Sequence, residues 1–183
     1  MEPKQNHRLT KNEYFDIERT SEIRHEFIDG ELFAMAGATR NHDRLVDKIR
    51  EILKTKSGCT AFAGNTRVEV DFGNGYRYPD LLLVCDKPEG DPYSVNNPLL
   101  IVEVLSENKD IDLGRKFGEY RRIPSLMHYM VVDQYKVFVE HYFRQGSTWV
   151  INPTYSKRSD RFVVEGIAFS LHDIYSVVDW EDR

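Results

Sequence analysis

From Asn41 to Lys54, apolar Leu45, Val46, Ile49, Ile52 and Leu53 recur at i, i+3, i+4 and i+7 spacing among charged residues. That spacing gathers them on one face of a helix and is the clearest amphipathic pattern in the chain. Upstream, Thr10 followed by Glu13 forms a capping-box pair, and Tyr14, Ile17 and Ile23 add helical spacing, so a short helix is predicted there. Glu26-Phe27-Ile28-Asp29-Gly30-Glu31-Leu32-Phe33 sets Asp-Gly between two apolar stretches, which is hairpin turn chemistry because both residues tolerate positive φ. A further helix is predicted from Asp110 to about Arg122, with Leu113, Phe117 and Tyr120 as its buried stripe and Pro124 beyond its end.

Strands are predicted over Thr66 to Phe72, Tyr78 to Cys85 and Leu99 to Ser106. The last two are apolar on both faces, as in central strands covered from both sides. Met127 to Asp133, Lys136 to Phe143 and Thr148 to Ile151 follow as β-rich segments, joined by turns at Gln134-Tyr135 and Gln145-Gly146. Lys87 to Pro92 and Ser156 to Asp160 read as surface turns, and the tail around Leu171 to Tyr175 as a closing helical turn. The alternating aromatics Tyr129, Tyr135, Phe138, Tyr142, Phe143 and Trp149 read as core or dimer packing rather than base stacking. This order predicts an α+β, or mixed α/β, fold with a central mixed β-sheet flanked by helices, in one domain spanning residues 1–183.

Composition narrows the picture. A net charge of -5 and a pI near 5.7 argue against holding nucleic acid by bulk electrostatics, leaving only a local basic patch for that task. No stretch approaches the ~20 apolar residues of a membrane span, and the polar start lacks a signal-peptide core, so a cytoplasmic protein without membrane contact is expected. Cys59 and Cys85 have no CxxC or Cys/His spacing, so neither a disulfide framework nor a structural zinc site is expected, and Cys85 reads as a small buried residue.

Two acids stand where apolar residues are expected. Asp80 follows Pro79 at the head of Leu81-Leu82-Leu83-Val84, and Glu103 lies inside Leu99-Leu100-Ile101-Val102-Glu103-Val104-Leu105. An ionised carboxylate leaves water only if it is paired, protonated or bound to a metal. If the two strands are neighbours, both acids can face one cleft and hold a hard cation, Mg²⁺ or Mn²⁺, together with a backbone carbonyl such as that of Val104. The ion can then acidify a bound water and offset charge at a phosphate in transition. Lys116, beside the helix's apolar stripe, is placed to enter the same cleft, with Asp112 and Tyr120 on its side of the helix at i−4 and i+4. Each residue also has a plainer reading: Asp80 as a turn cap, Glu103 as half of an ion pair, Lys116 on a solvated face. His42 and Glu31 are auxiliary candidates, and Arg115 and Arg121, in a cluster with Arg122, are candidates for phosphate contact.

Glu26 to Glu31, His42, Tyr78-Pro79-Asp80, Ile101 to Ser106 and the Asp112, Lys116, Tyr120 series together resemble the PD-(D/E)XK restriction-endonuclease-like superfamily, and within it the Uma-type branch of endonucleases. The resemblance covers most of the chain. It implies a Mg²⁺-dependent nuclease acting on nucleic acid, DNA ahead of RNA, with Asp80 and Glu103 as metal-binding catalytic acids and Lys116 as the catalytic lysine. One departure from the superfamily matters: Leu105 stands where E-x-K has its lysine. In the Uma-type branch the lysine lies on the following helix, which Lys116 matches, with Lys109 as a nearer alternative. His128-Tyr129-Met130 departs from the branch's usual Glu-Tyr-Trp. A homodimer is also expected, since many nucleases address two strands. The alternative is a non-catalytic nucleic-acid-binding or protein-interaction domain on the same scaffold, which a solvent-facing Lys116 would favour.

Overall fold

The structure, a computed structural model, describes residues 8–55, 58–71, 74–88, 90–106 and 111–181, without the side chains of residues 111–113. Helix α1 spans Lys11–Thr20, and Thr10 and Glu13 close the capping box that the sequence predicts. Ile23 lies beyond the helix and is exposed. Strands β1 (His25–Ile28) and β2 (Glu31–Ala34) form the expected hairpin. Asp29 and Gly30 both take positive φ, 53° and 82°, as a two-residue turn of this hand requires.

Helix α2 (Arg40–Leu53) buries Leu45, Ile49 and Leu53 completely. Then come β3 (Thr60–Ala63), β4 (Arg67–Val70), β5 (Gly75–Arg77), β6 (Leu81–Val84), β7 (Ser94–Val95) and β8 (Leu100–Leu105). A π-helical turn, Ile111–Lys116, runs into α3 (Phe117–Tyr120), followed by β9 (His128–Asp133), β10 (Val139–Gln145) and β11 (Thr148–Ile151). The hairpin β12 (Arg161–Val164) and β13 (Ile167–Ser170) precedes α4 (Leu171–Ile174) and a 3₁₀ turn. The helix predicted over 110–122 is thus a widened turn feeding a single α-turn. Of the strand predicted from Tyr78 to Cys85, only Leu81–Val84 is strand; Tyr78-Pro79-Asp80 is a bend that joins it to β5, which lies in the other sheet.

The larger sheet runs β11-β10-β9-β8-β6-β3, with β8 and β9 parallel and the other pairs antiparallel. The second runs β2-β1-β5-β4-β7. All residues of β6 and β8 are buried, as their continuous apolar runs predict. Period-two alternation sorts them. Leu81, Leu83, Leu100 and Val102 pack with Leu45, Ile49 and Leu53 of α2, whereas Leu82, Val84, Ile101 and Leu105 pack with Tyr120, Ile123 and Tyr129 on the other face. Phe117 joins that second layer, stacked on Tyr129 at 5.0 Å and edge-on to Trp149, so these aromatics are packing groups.

One expectation about the cysteines is overturned. Cys59 and Cys85 face each other where β3 and β6 begin and end their pairing, and they form a disulfide. Cys85 is only half buried. The spacing gave no hint because the contact is made by antiparallel pairing across a separation of 26 residues.

Behind the larger sheet, a hydrogen-bonded row ties β9 and β10 to the β12–β13 hairpin. Asn152 Nδ2 lies 2.8 Å from His141 Nδ1, His141 Nε2 lies 3.0 Å from His128 Nδ1, and His128 Nε2 lies 2.9 Å from Glu165 Oε1. The amide N–H donates to His141 Nδ1, which leaves one self-consistent assignment in which each imidazole donates through Nε2. Burial, reinforced by His128, lowers the His141 pKa from its ordinary value to about 4.

Two outcomes follow for stability. The folded state binds fewer protons at His141 than the unfolded chain does, so the stability this residue supports is full above about pH 6.5 and lost as pH falls toward 4. Urea unfolding should show a loss of about 2 kcal/mol from this group between pH 7 and pH 5, and His141→Gln should flatten that slope. Opening the Cys59–Cys85 bond with reductant should lower the unfolding free energy by about 3 kcal/mol, from the entropy of the released loop; equal urea midpoints with and without reductant would contradict this.

Candidate active site

Asp80 and Glu103 are brought together by strand pairing. β6 and β8 are antiparallel with Leu81 opposite Val102, and one further step in that register sets Asp80 opposite Glu103. Glu103 turns toward α3, on the face of Ile101, while Asp80, in the bend just before β6, turns its carboxylate to the Val104 N–H and to α2. Asp80 Oδ2 accepts the Val104 backbone N–H at 2.7 Å, a bond that locks the bend onto β8. Pro79 has no N–H to pair with a neighbouring strand, which suits the chain to changing sheets here.

Glu103 is 2% exposed. Its Oε2 lies 3.2 Å from Lys116 Nζ and its Oε1 accepts the Tyr120 hydroxyl at 2.8 Å. Burial first, then the charges of Glu103 and Glu26, push the Tyr120 pKa well above its ordinary value, so the phenol stays protonated and serves as a donor. Lys116 is drawn inward, with only 13% of its side chain exposed. The π-helical turn carries it there, and the neighbouring turn of α3 carries Tyr120.

His42 comes from the other face. Thr39 caps α2 and accepts the His42 N–H at 3.2 Å, which fixes the first turn. His42 Nε2 then lies 3.1 Å from Asp80 Oδ1, with Asp43 at 3.4 Å from Nδ1. Burial favours the neutral imidazole, but hydrogen bonding and charge from Asp80, with Asp43 adding, outweigh it and raise the pKa above its ordinary value.

The remaining sequence candidates are placed differently. Glu31 is exposed on β2, and it is Glu26 on β1 that reaches inward, to Arg77 at 2.5 Å. Asp112 lies in the π-helical turn, but its side chain falls outside the described residues, as does Lys109 entirely. Arg115 is half exposed, 3.3 Å from Glu119. The Arg121 side chain is exposed, and its carbonyl accepts from Arg144 and Trp149. Arg122 pairs with Asp71.

Two groups escaped the sequence reading. Arg77, 3% exposed, bridges Glu26 and Glu119, meeting Glu119 through Nε at 2.7 Å and Nη2 at 2.8 Å. It fastens the hairpin to the turn that bears Lys116 and Tyr120. An arginine between Tyr76 and Tyr78 in a strand was its signal, since a buried guanidinium requires an acid. Gln134, read as a turn residue, is buried; it donates to the Leu105 carbonyl at 2.7 Å and accepts from the Thr39 hydroxyl. It links the end of β8 to the start of α2, and no local pattern marks it.

Among the described residues, no group of three or more His, Cys, Asp or Glu side chains is arranged to hold a metal ion. The oxygen donors that the strand pairing brings to this point are the carboxylates of Asp80 and Glu103. Asp80 accepts two of the roughly four hydrogen bonds a carboxylate can take. That set fits a hard cation that keeps several of its waters, as Mg²⁺ does, and not one needing a full protein cage.

Comparison with known proteins gives the family and the fold. Residues 12–172 match the Uma2 family model, described as "Putative restriction endonuclease". Two proteins of Synechocystis sp. are relatives: uncharacterized protein sll1609 is 35% identical, covering 78% of this chain and 85% of its own, and uncharacterized protein slr1290 is 28% identical, covering 92% of both. The crystal structure of a "putative nuclease belonging to DUF820" from Anabaena variabilis superposes with a TM-score of 0.68 over 86% of this chain and 93% of that one. At 16% identity that likeness concerns the fold, which is the mixed α+β nuclease fold expected from the sequence. The match over residues 12–172 shows that this chain belongs to the Uma2 family.

Proposed function

We propose that this protein hydrolyses phosphodiester bonds in nucleic acid, DNA in preference to RNA, with a divalent cation, Mg²⁺ or Mn²⁺, held by Asp80 and Glu103. The observation that carries the reading is the inward lysine: Lys116 Nζ reaches Glu103, on a strand whose partner presents Asp80. A lysine turned to solvent would have favoured a binding module. Family membership and the nuclease fold support the same reading.

In this role the cation supplies a Lewis acid and a more acidic water. Lys116 holds a positive charge beside the phosphate and orients the attacking water. Tyr120 fixes one Glu103 oxygen and Lys116 meets the other, so the carboxylate would be held in one orientation for the ion. His42 and the Val104 N–H orient Asp80. Arg77 holds the β1–β2 hairpin against Glu119 and so positions the turn bearing Lys116. Arg115 and Arg121, on the exposed side of that turn, are phosphate contacts.

Many nucleases address the two strands of a duplex with two such centres, one per subunit. Among the described residues the sheets end at β2 and β7 and at β11 and β3; a second copy would add at one of these edges, and the mass in solution tests for that homodimer. No described helix is long and apolar enough to cross a membrane. We place the protein in the cytoplasm with its substrate, where thiol-reducing conditions favour the open form of the Cys59–Cys85 pair.

Cleavage of end-labelled single- and double-stranded DNA and of RNA, with Mg²⁺, Mn²⁺ or EDTA, is the direct test. Activity should require the ion, and Asp80→Ala and Glu103→Ala should each remove it. Persistent metal-dependent cleavage by Asp80→Ala sinks the assignment. Lys116→Ala should lower kcat by about 10²–10³, the usual effect of losing one preorganised charge donor, while metal affinity read by calorimetry is retained. Arg77→Leu breaks a buried three-way ion pair and should destabilise the fold by about 3–5 kcal/mol, lowering the urea midpoint before any effect on metal binding is seen.

A further inference from the structure

Outside the Asp80–Glu103 cleft, a cavity of about 580 Å³ opens between α1, the start of β4 and the loop at 91–93. Its inner wall is a row of buried polar groups. His25 gives its backbone N–H to Glu18 Oε1 at 2.9 Å, and its ring Nδ1 meets the same oxygen at 2.8 Å. The Tyr78 hydroxyl donates to Glu18 Oε2 at 2.8 Å. Arg67 pairs with Asp91, donates to Ser94 at 2.8 Å and lies 4.6 Å from the Phe15 ring centroid. Glu18, Arg67 and Tyr78 are 4%, 5% and 3% exposed. Groups this polar and this buried are unfavourable for folding unless fully satisfied, and here they line a cavity of ligand size instead of an apolar cluster.

The mouth has the opposite character. Tyr93 is 63% exposed, and neither its ring nor the Asn65 amide has a side-chain partner among the described residues. Arg19 and Arg24 line the same cavity with side chains 68% and 40% exposed, Arg19 in a solvent-exposed pair with Asp16 at 2.7 Å and Arg24 at 3.8 Å from Glu18. A flat aromatic face, an uncommitted amide and two cations around a rigid polar wall match one ligand chemistry: a planar heterocycle joined to a phosphate. The base stacks on the ring and hydrogen-bonds to the amide, and the phosphate is drawn to the arginines.

Two residues of its lining lie near Asp80 along the backbone. Tyr78 stands two residues before Asp80, and Asn65 follows Gly64, whose N–H donates to the Asp80 carbonyl at 3.1 Å. We infer that it is a subsite for one unpaired nucleotide of the substrate strand, flanking the bond to be cut; this rests on the nuclease reading above. A base held in a duplex is stacked on both faces and cannot enter, so the substrate must be single-stranded or locally unpaired at that position.

The test is NMR titration of the wild-type protein in EDTA, which separates binding from cleavage. The probes are the four deoxynucleoside 5′-monophosphates, a single-stranded tetranucleotide and a blunt duplex. The expected result is resonance shifts centred on Phe15 and Tyr78, displacement of the monophosphate by the tetranucleotide, and no displacement by the duplex. Tyr93→Ala and Asn65→Ala should each weaken monophosphate binding, Tyr93→Ala by about tenfold or more, while Val163→Ser on the distant hairpin should not. Absence of shifts at the cavity, unchanged affinity in both variants, or a monophosphate that the single strand fails to displace overturns the subsite. Wild-type cleavage, measured separately, keeps the two readings apart. Cleavage without cavity binding removes the subsite and leaves the nuclease; cavity binding without any cleavage removes the nuclease and leaves a nucleotide site.

Discussion

The 2.7 Å hydrogen bond from the Val104 backbone to the Asp80 carboxylate is the constraint on which the site depends. It is made where the chain leaves one sheet for the other, so the same contact fixes the bend, the register of β6 on β8 and the meeting of the two acids. A slip of one residue in that register would turn Asp80 and Glu103 to opposite faces, because side chains alternate along a strand. Apolar packing on both faces prevents the slip: every residue of β6 and β8 is buried, and each face has its own partner layer.

Around this pair the protein keeps charge buried by matching it. Glu103 meets Lys116 and the Tyr120 phenol; Arg77 lies between Glu26 and Glu119; Glu18 meets His25, Tyr78 and Arg24. Such networks stabilise little compared with apolar packing, but leaving one member unpaired is strongly unfavourable. They therefore hold side chains in one arrangement, which is what a preorganised site needs. Where no catalytic geometry is evident, the same logic yields a hydrogen-bonded row from Asn152 through His141 and His128 to Glu165, which fastens a hairpin to the sheet.

Legibility followed the range of the interaction. The capping box at Thr10 and Glu13, the Asp29-Gly30 turn and the apolar stripe of α2 are local, and each appears where its pattern predicts. The short strands β3, β5, β7, β12 and β13 were not read, because two to four residues carry too little periodicity to register. Asp80 and Glu103 stood out by contrast with their apolar surroundings and Lys116 by the family resemblance; the structure brings Lys116 to Glu103 and sets Asp80 opposite Glu103 in register. Arg77, Glu119 and Gln134 did not, because their partners lie tens of residues away and no spacing encodes such a contact. Cys59 and Cys85 were misjudged for that reason: their bond follows from antiparallel pairing, which the cysteine spacing does not contain.

The sequence alone determined the α+β class, the main helix, the hairpin and the presence of two acids inside apolar runs, since each rests on side-chain type at short, regular spacing. The tertiary structure alone decided which strands adjoin, that Lys116 turns inward, that Glu26 and not Glu31 reaches the interior, and that a polar-walled cavity opens between α1 and β4. Those outcomes depend on how distant segments share limited interior volume and on which buried charges find a partner. Both are properties of the whole packed chain and are carried by no single segment.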